Sequence, residues 1–105
     1  MTDAIFNKLE SDLASNDKNL ITTAMLYMAH NLADFDWTQE KLIHLLEEND
    51  QDIRGLALTC LGHVARISGR INEKLVFPVL REMLNDEILG GRAQDAIDDI
   101  EMFVK

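Results

Sequence analysis

The chemically capable side chains of this sequence are three histidines, one cysteine and a large excess of acids. His30 and His63 each fall thirteen residues after the aspartate of an Asn-Asp turn, Asp17 and Asp50, and Asp99 holds the same place after Asp86. Zinc needs its ligand atoms within about 2.2 Å, whereas packed helix axes lie roughly 8–10 Å apart. No His-x-x-x-His or Glu-x-x-His spacing puts two ligands on one helix, so no metal site is expected. Cys60 and His63, three apart on a helix, could pair as a thiolate and its base. Cys60 also lies three after Ala57 and four before Val64, on an apolar stripe, which reads as a buried small hydrophobe. Gly90-Gly91 is a lone pair and suits a tight approach into a helix better than a phosphate loop. A nucleophile elbow, an enclosed pair of carboxylates and a dinucleotide fingerprint are all missing from the sequence, so neither catalysis nor a cofactor is expected.

The elements that must position these residues are helical. The chain has 105 residues, room for a single domain over 1–105. Apolar residues make up 47% and aromatics 6%, with five glycines and one proline, a balance that favours an all-α fold over a sandwich or barrel. Apolar spacing of three and four predicts six helices. The first spans about Asp3 to Ala14, with Ile5, Phe6, Leu9 and Leu13 on one face. The second spans about Lys18 to Ala33, with Leu20, Ala24, Met25, Met28 and Leu32. The third starts after Asp36, which forms a capping box with Gln39 while Phe35 staples the turn, and carries Leu42, Ile43, Leu45 and Leu46. The fourth follows Asn49-Asp50, carries Ile53, Leu56, Ala57, Cys60, Leu61 and Val64, and stops at Gly69. The fifth follows Asn72, with Leu75, Val76, Val79, Leu80, Met83 and Leu84. The sixth spans about Leu89 to Val104, with Ala93, Ala96, Ile97, Ile100 and Phe103.

The Asn-Asp turn occurs at 16–17, 49–50 and 85–86, at intervals of 33 and 36 residues, which is a repeat period. Counting from each aspartate, the third position is Leu20, Ile53 or Leu89, the seventh Ala24, Ala57 or Ala93, and the eleventh Met28, Leu61 or Ile97. The repeats span about 3–33, 36–68 and 72–104. One hairpin is too small to bury its own apolar face, so neighbours must stack. The stretch Val76-Phe77-Pro78-Val79-Leu80-Arg81-Glu82-Met83-Leu84-Asn85-Asp86 resembles the first helix and turn of a HEAT-type repeat. Asp50, Ile53, Arg54, Ala57, Leu61 and Gly62 resemble the start of its second helix. This resemblance implies a right-handed α-solenoid of three HEAT-like hairpins, with Pro78 kinking its helix. Ile21 and Gly90 stand where the middle repeat has Arg54, so the outer repeats depart from the pattern and read as caps.

Charge then bears on function. Nineteen acids against ten Lys and Arg give a net charge of −9, which repels nucleic acid and anionic lipid and suits a basic protein partner. With no apolar run long enough to cross a bilayer and no cleavable leader pattern, a cytoplasmic protein without membrane contact is expected. Acids cluster over 34–52 and 86–101. Asp95, Asp98 and Asp99 lie mid-helix, where mutual repulsion is relieved by an opposing basic surface. The resemblance places Thr22, Leu26, His30, Gly55, Thr59, His63, Arg66, Asp95, Asp99 and Met102 on one exposed stripe of the second helices, a binding surface in such arrays. The candidate partner-binding residues are therefore Asp34, Asp36, Trp37, Thr59, His63, Arg66, Asp95, Asp98 and Asp99. Trp37 is open between packing the first two repeats together and anchoring an interface. Small bacterial proteins resembling HEAT units often serve as immunity partners of toxins, contact-delivered ones included. That implies a non-catalytic protein, monomeric when free, whose acidic face covers a cationic toxin surface. The alternatives are a HEAT-like adaptor holding a peptide or helix of a larger complex, and an enzyme subunit using His63 and Asp99.

Overall fold

The computed structural model describes residues 3–31 and 34–104, so Leu32 and Ala33, placed by periodicity at the end of the second helix, lie outside the described residues. Six α-helices form: α1 (Asp3–Leu13), α2 (Lys18–Asn31), α3 (Phe35–Leu45), α4 (Gln51–Ser68), α5 (Glu73–Met83) and α6 (Gly90–Phe103). No strand occurs among the described residues, so the all-α class and the six helices stand.

The three turn aspartates make the same pair of contacts, at the start of α2 and α4 and, for Asp86, in the turn that leads into α6 at Gly90. A helix start leaves backbone N–H groups without intrahelical acceptors, and a short carboxylate can take them. Asp17 Oδ1 accepts from the N–H groups of Asn19 and Leu20 at 2.9 and 3.3 Å. Asp50 Oδ1 accepts from Asp52 and Ile53 at 2.8 and 3.2 Å. Asp86 Oδ1 accepts from Ile88 and Leu89, both at 2.8 Å. A base then reaches Asp50 from the preceding hairpin. Lys18 Nζ lies 3.0 Å from Asp50 and 2.6 Å from Asp52. Lys18 and the Ile53 and Asp52 N–H groups hold the Asp50 carboxyl below its ordinary range. Asp86 is likewise held low, mainly by the Leu89 and Ile88 N–H groups, with the Arg54 charge adding to them.

Each first helix packs on the helix that follows it, α1 on α2, α3 on α4 and α5 on α6, while α4 lies between α2 and α6. The small seventh residues are buried as the repeat requires, Ala24, Ala57 and Ala93, and Met25, Met28, Leu42, Leu58, Leu61, Leu80 and Ile100 fill the space around them. Gly69 ends α4 in the left-handed conformation, φ 69°. Pro78 sits within α5 on its exposed side, where the carbonyl it leaves unpaired can be hydrated.

Several local expectations shift. Asp34, not Asp36, caps α3, its carboxylate accepting from Trp37 N at 2.9 Å. Phe35 is thereby helical, with the Arg70 guanidinium 4.1 Å over its ring. Gln39 leaves the expected capping box and accepts from Asn72 N at 2.6 Å, tying α3 to the start of α5. Leu20 and Leu75, expected on core faces, are 41% and 56% exposed.

Gly90 and Gly91 differ in what surrounds them. A Cβ on Gly90 would lie 2.7 Å from the Leu84 carbonyl oxygen, whereas one on Gly91 meets nothing within 4 Å. Gly90→Ala is therefore expected to destabilise the fold by about 1–3 kcal/mol, and Gly91→Ala to stabilise it by up to about 1 kcal/mol through helix propensity, both read as shifts in the urea midpoint. Thr38 Oγ1 is buried with no hydrogen-bond partner among the described residues. Thr38→Val should raise stability in the same assay by about 1 kcal/mol, since it removes an unmet polar group.

Candidate functional site

The site grows out of two glycines on α4. At Gly55 an added Cβ would stand 2.7 Å from Arg92 Nη1, and at Gly62 it would stand 2.7 Å from Asp99 Oδ2 and 3.4 Å from Ala96 Cα. The missing side chains let α6 approach α4 and lay Arg92 and Asp99 across it. Between the two helices runs an open groove of about 360 Å³, floored by Leu58 and Ala96 and walled by Thr59, Arg66, Arg92, Asp95, Asp98 and Asp99. Two guanidinium groups and three carboxylates share it. Gln94 Nε2 donates to Asp98 Oδ1 at 2.9 Å, and Arg66 Nε lies 3.7 Å from Asp99 Oδ2.

A polar chain continues from the groove to α2. Arg66 Nη2 is 3.0 Å from His63 Nδ1, and His63 Nε2 is 3.0 Å from His30 Nδ1. Arginine has only donors, so His63 Nδ1 accepts and the His63 proton sits on Nε2. That proton is donated to His30 Nδ1, which fixes His30 as the Nε2–H tautomer. Protonating His63 would set its Nδ1–H against the Arg66 donor. Accordingly, partial burial pushes the His63 pKa down, helped by the His30 and Arg66 charges and opposed by Asp99.

Of the nine residues expected from sequence, Thr59, Arg66, Asp95, Asp98 and Asp99 line this groove, and His63 adjoins it through Arg66. The other three lie apart. Asp34 is spent as the α3 cap. Asp36 borders a shallow depression with Gln39, Glu40, Ile43 and His44. Trp37 donates from Nε1 to Glu10 at 3.0 Å and meets the Phe6 ring edge-on, centroids 5.2 Å apart. It fastens α3 to α1, which is the packing role of its two alternatives.

Within the expected stripe, Leu26 and Met102 are exposed, but Gly55 is buried beneath Arg92. Arg92 was missed as a site residue. Its signal was the glycine at Gly55, a gap that a long side chain on the next hairpin could fill. Cys60 is buried, its Sγ 3.9 Å from the Met25 carbonyl oxygen, and burial pushes its thiol up to about 11. A thiol so raised is a poor nucleophile at neutral pH. Among the described residues no group of three His, Cys, Asp or Glu side chains could hold a metal ion.

A folded-state pKa below the ordinary value means that His63 contributes stability present above the unfolded pKa, near 6.5, and lost as pH falls through the folded value. Imidazole titration by NMR should place His63 below its ordinary value, Arg66→Ala should raise it, and Asp99→Asn should lower it further. A His63 pKa above the ordinary value, or one indifferent to both substitutions, would contradict the polar chain. No family model, curated protein or solved structure matches the chain.

Proposed function

We propose that this chain is a HEAT-like stack of three hairpins that binds a basic protein along the α4–α6 groove without catalysing a reaction on it. The stacking reading is supported by the matching hydrogen bonds of the three turn aspartates, by the placement of α4 between α2 and α6, and by Lys18 reaching forward to Asp50 and Asp52. The observation that carries the binding reading is the convergence of Asp95, Asp98 and Asp99 on one open groove over Gly55 and Gly62. Such a surface is polar, shallow and net negative, which suits steering and registering a cationic protein face more than enclosing a small molecule.

Within that reading, the resemblance to bacterial HEAT-like proteins makes the partner a basic toxin domain and this chain its cytoplasmic immunity partner. Neutralisation is steric: the chain lies over the toxin's cationic active surface and excludes its substrate. The adaptor alternative differs in charge dependence. An acidic face associates at a rate that falls steeply as salt rises, while an apolar groove holding a peptide is far less sensitive.

Co-purification from the native host should recover a basic protein, and co-expression should rescue cells from the product of the neighbouring gene. Asp95→Lys with Asp98→Lys should slow association by about tenfold or more and flatten its salt dependence, whereas Asp36→Lys should have little effect. Failure to recover a basic partner, together with failure to rescue, rules the immunity reading out. A dominant effect of Asp36→Lys would move the interface to α3.

A further inference from the structure

The seams between second helices follow one rule. Residues six and ten after a turn aspartate face the preceding hairpin: Arg92 lies on Gly55, Cys60 on the Met25 carbonyl and Ala96 on Gly62, while the thirteenth residues sit at the seam edge, Asp99 on Gly62 and His63 against His30. Residues five, eight and twelve after it face the following hairpin, which in the first two hairpins are Thr22, Met25 and Ala29, then Gly55, Leu58 and Gly62. Applied to the ends of the file, the rule gives opposite results. The outgoing positions of α6 are Gly91, Gln94 and Asp98, all exposed, with Gln94 and Asp98 hydrogen-bonded to each other. That end is mainly polar, with Met102 exposed beside them and Asp98 also bordering the α4–α6 groove.

At the other end, the place of Cys60 and Ala96 is taken by Tyr27, 40% exposed where Cys60 and Ala96 are each 2%. Tyr27 borders a groove of about 260 Å³ with Ile5, Leu9, Thr23 and Ala24, and Lys8 and Asp12 form its rim. In the second and third hairpins, the chain itself covers the corresponding surface.

We propose that this α1–α2 groove is the face through which two copies of the chain pair about a two-fold axis. With Gln94 and Asp98 beside Met102, the α6 end is a poorer match for an apolar groove than the groove itself, which disfavours head-to-tail growth. Its rim is self-complementary. Lys8 and Asp12, 2.8 Å apart within one copy, are two opposite charges one helical turn apart, and an antiparallel approach of two α1 helices sets each Lys8 beside the other copy's Asp12. The charge gradient also favours this end. Residues 3–33 hold four acids against two bases, residues 34–71 seven against four, and residues 72–105 eight against four. Pairing at the first hairpin keeps the two most acidic hairpins farthest apart and leaves both α4–α6 grooves open. The inference rests on the stacked reading of the hairpins but not on the groove's partner, and it takes the place of the monomer expected from sequence.

Sedimentation velocity of the full chain, from micromolar to near-millimolar concentration, tests it. The mass should rise with concentration from 11.9 kDa toward twice that and stop there. Added salt should strengthen pairing, because screening relieves repulsion between two copies of charge −9; association with a basic partner responds in the opposite sense. Tyr27→Lys, with an unchanged circular dichroism spectrum, should remain monomeric, while Gln94→Lys should still pair. Lys8→Asp should weaken pairing on the order of tenfold, since the contact occurs twice, and adding Asp12→Lys should restore it. A chain that stays monomeric throughout, that grows beyond the dimer, or whose pairing survives Tyr27→Lys and is lost with Gln94→Lys overturns the proposal. The Tyr27, Lys8 and Asp12 results do not bear on the Asp95 and Asp98 groove, which lies between α4 and α6; Gln94→Lys, which removes a donor to Asp98, is read for pairing alone.

Discussion

The structure depends first on one small interaction made three times: a turn aspartate whose single Oδ1 accepts the N–H groups two and three residues ahead. At Asp17 and Asp50 it satisfies two of the orphan donors at the helix start, and at Asp86 it closes the turn ahead of Gly90. The same atoms meet at each of the three turns, and α4 packs against both α2 and α6. With Asp34 capping α3 in addition, four of the nineteen acids are committed to backbone amides. Overall negative charge therefore overstates the carboxylates free to meet another molecule. Asp52 is also occupied, by Lys18.

What sets the site apart is the character of its seam. Between α2 and α4 the contacts run from Thr22 and Leu56, which border one cavity, through Cys60 against the Met25 carbonyl to the His30–His63 pair. Between α4 and α6 the corresponding faces carry Gly55, Leu58 and Gly62 against Arg92, Ala96 and Asp99. The glycines withdraw and the charged residues lean over them, so the helices remain close while their upper edges part into a groove. Both kinds of seam rest on the same apolar floor, in which Leu58, Leu61, Val64 and Ile100 are fully buried. The polar rim is thus carried by a core that does not need it.

Much of this was legible in the sequence because the signals are local. Turn aspartates recur at 33 and 36 residues, alanines follow each at the seventh position, and apolar spacing marks six helices. Thr59, Arg66, Asp95, Asp98 and Asp99 could be grouped because one helical face and one repeat rule bring them together. The misreadings arose where a long-range contact chose between local options. Asp34 and Asp36 are both competent caps. The choice goes with Arg70 over Phe35 and with Gln39 accepting from Asn72, contacts across 35 and 33 residues that no short window contains. Asp34, Asp36 and Trp37 are near neighbours in the chain, yet one points at backbone, one borders a separate depression and one reaches α1. Proximity in sequence at a helix start scatters side chains around the axis, so it is a poor guide to a shared surface.

The groove residues are informative because they occupy packing positions. The places of Arg92 and Asp99 are held in the preceding hairpin by Leu56 and His63, and in the first by Thr23 and His30. A stack concerned only with stability would place apolar side chains at the sixth position of each hairpin, as it does at Leu56. Arg92 there forgoes apolar burial, and Asp95 lies three and four residues before Asp98 and Asp99, where like charges repel. Arg66 and Arg92 offset part of that repulsion without neutralising the three carboxylates. The α4–α6 seam thus carries charge where the α2–α4 seam carries Leu56, a local departure from the pattern that the rest of the core follows.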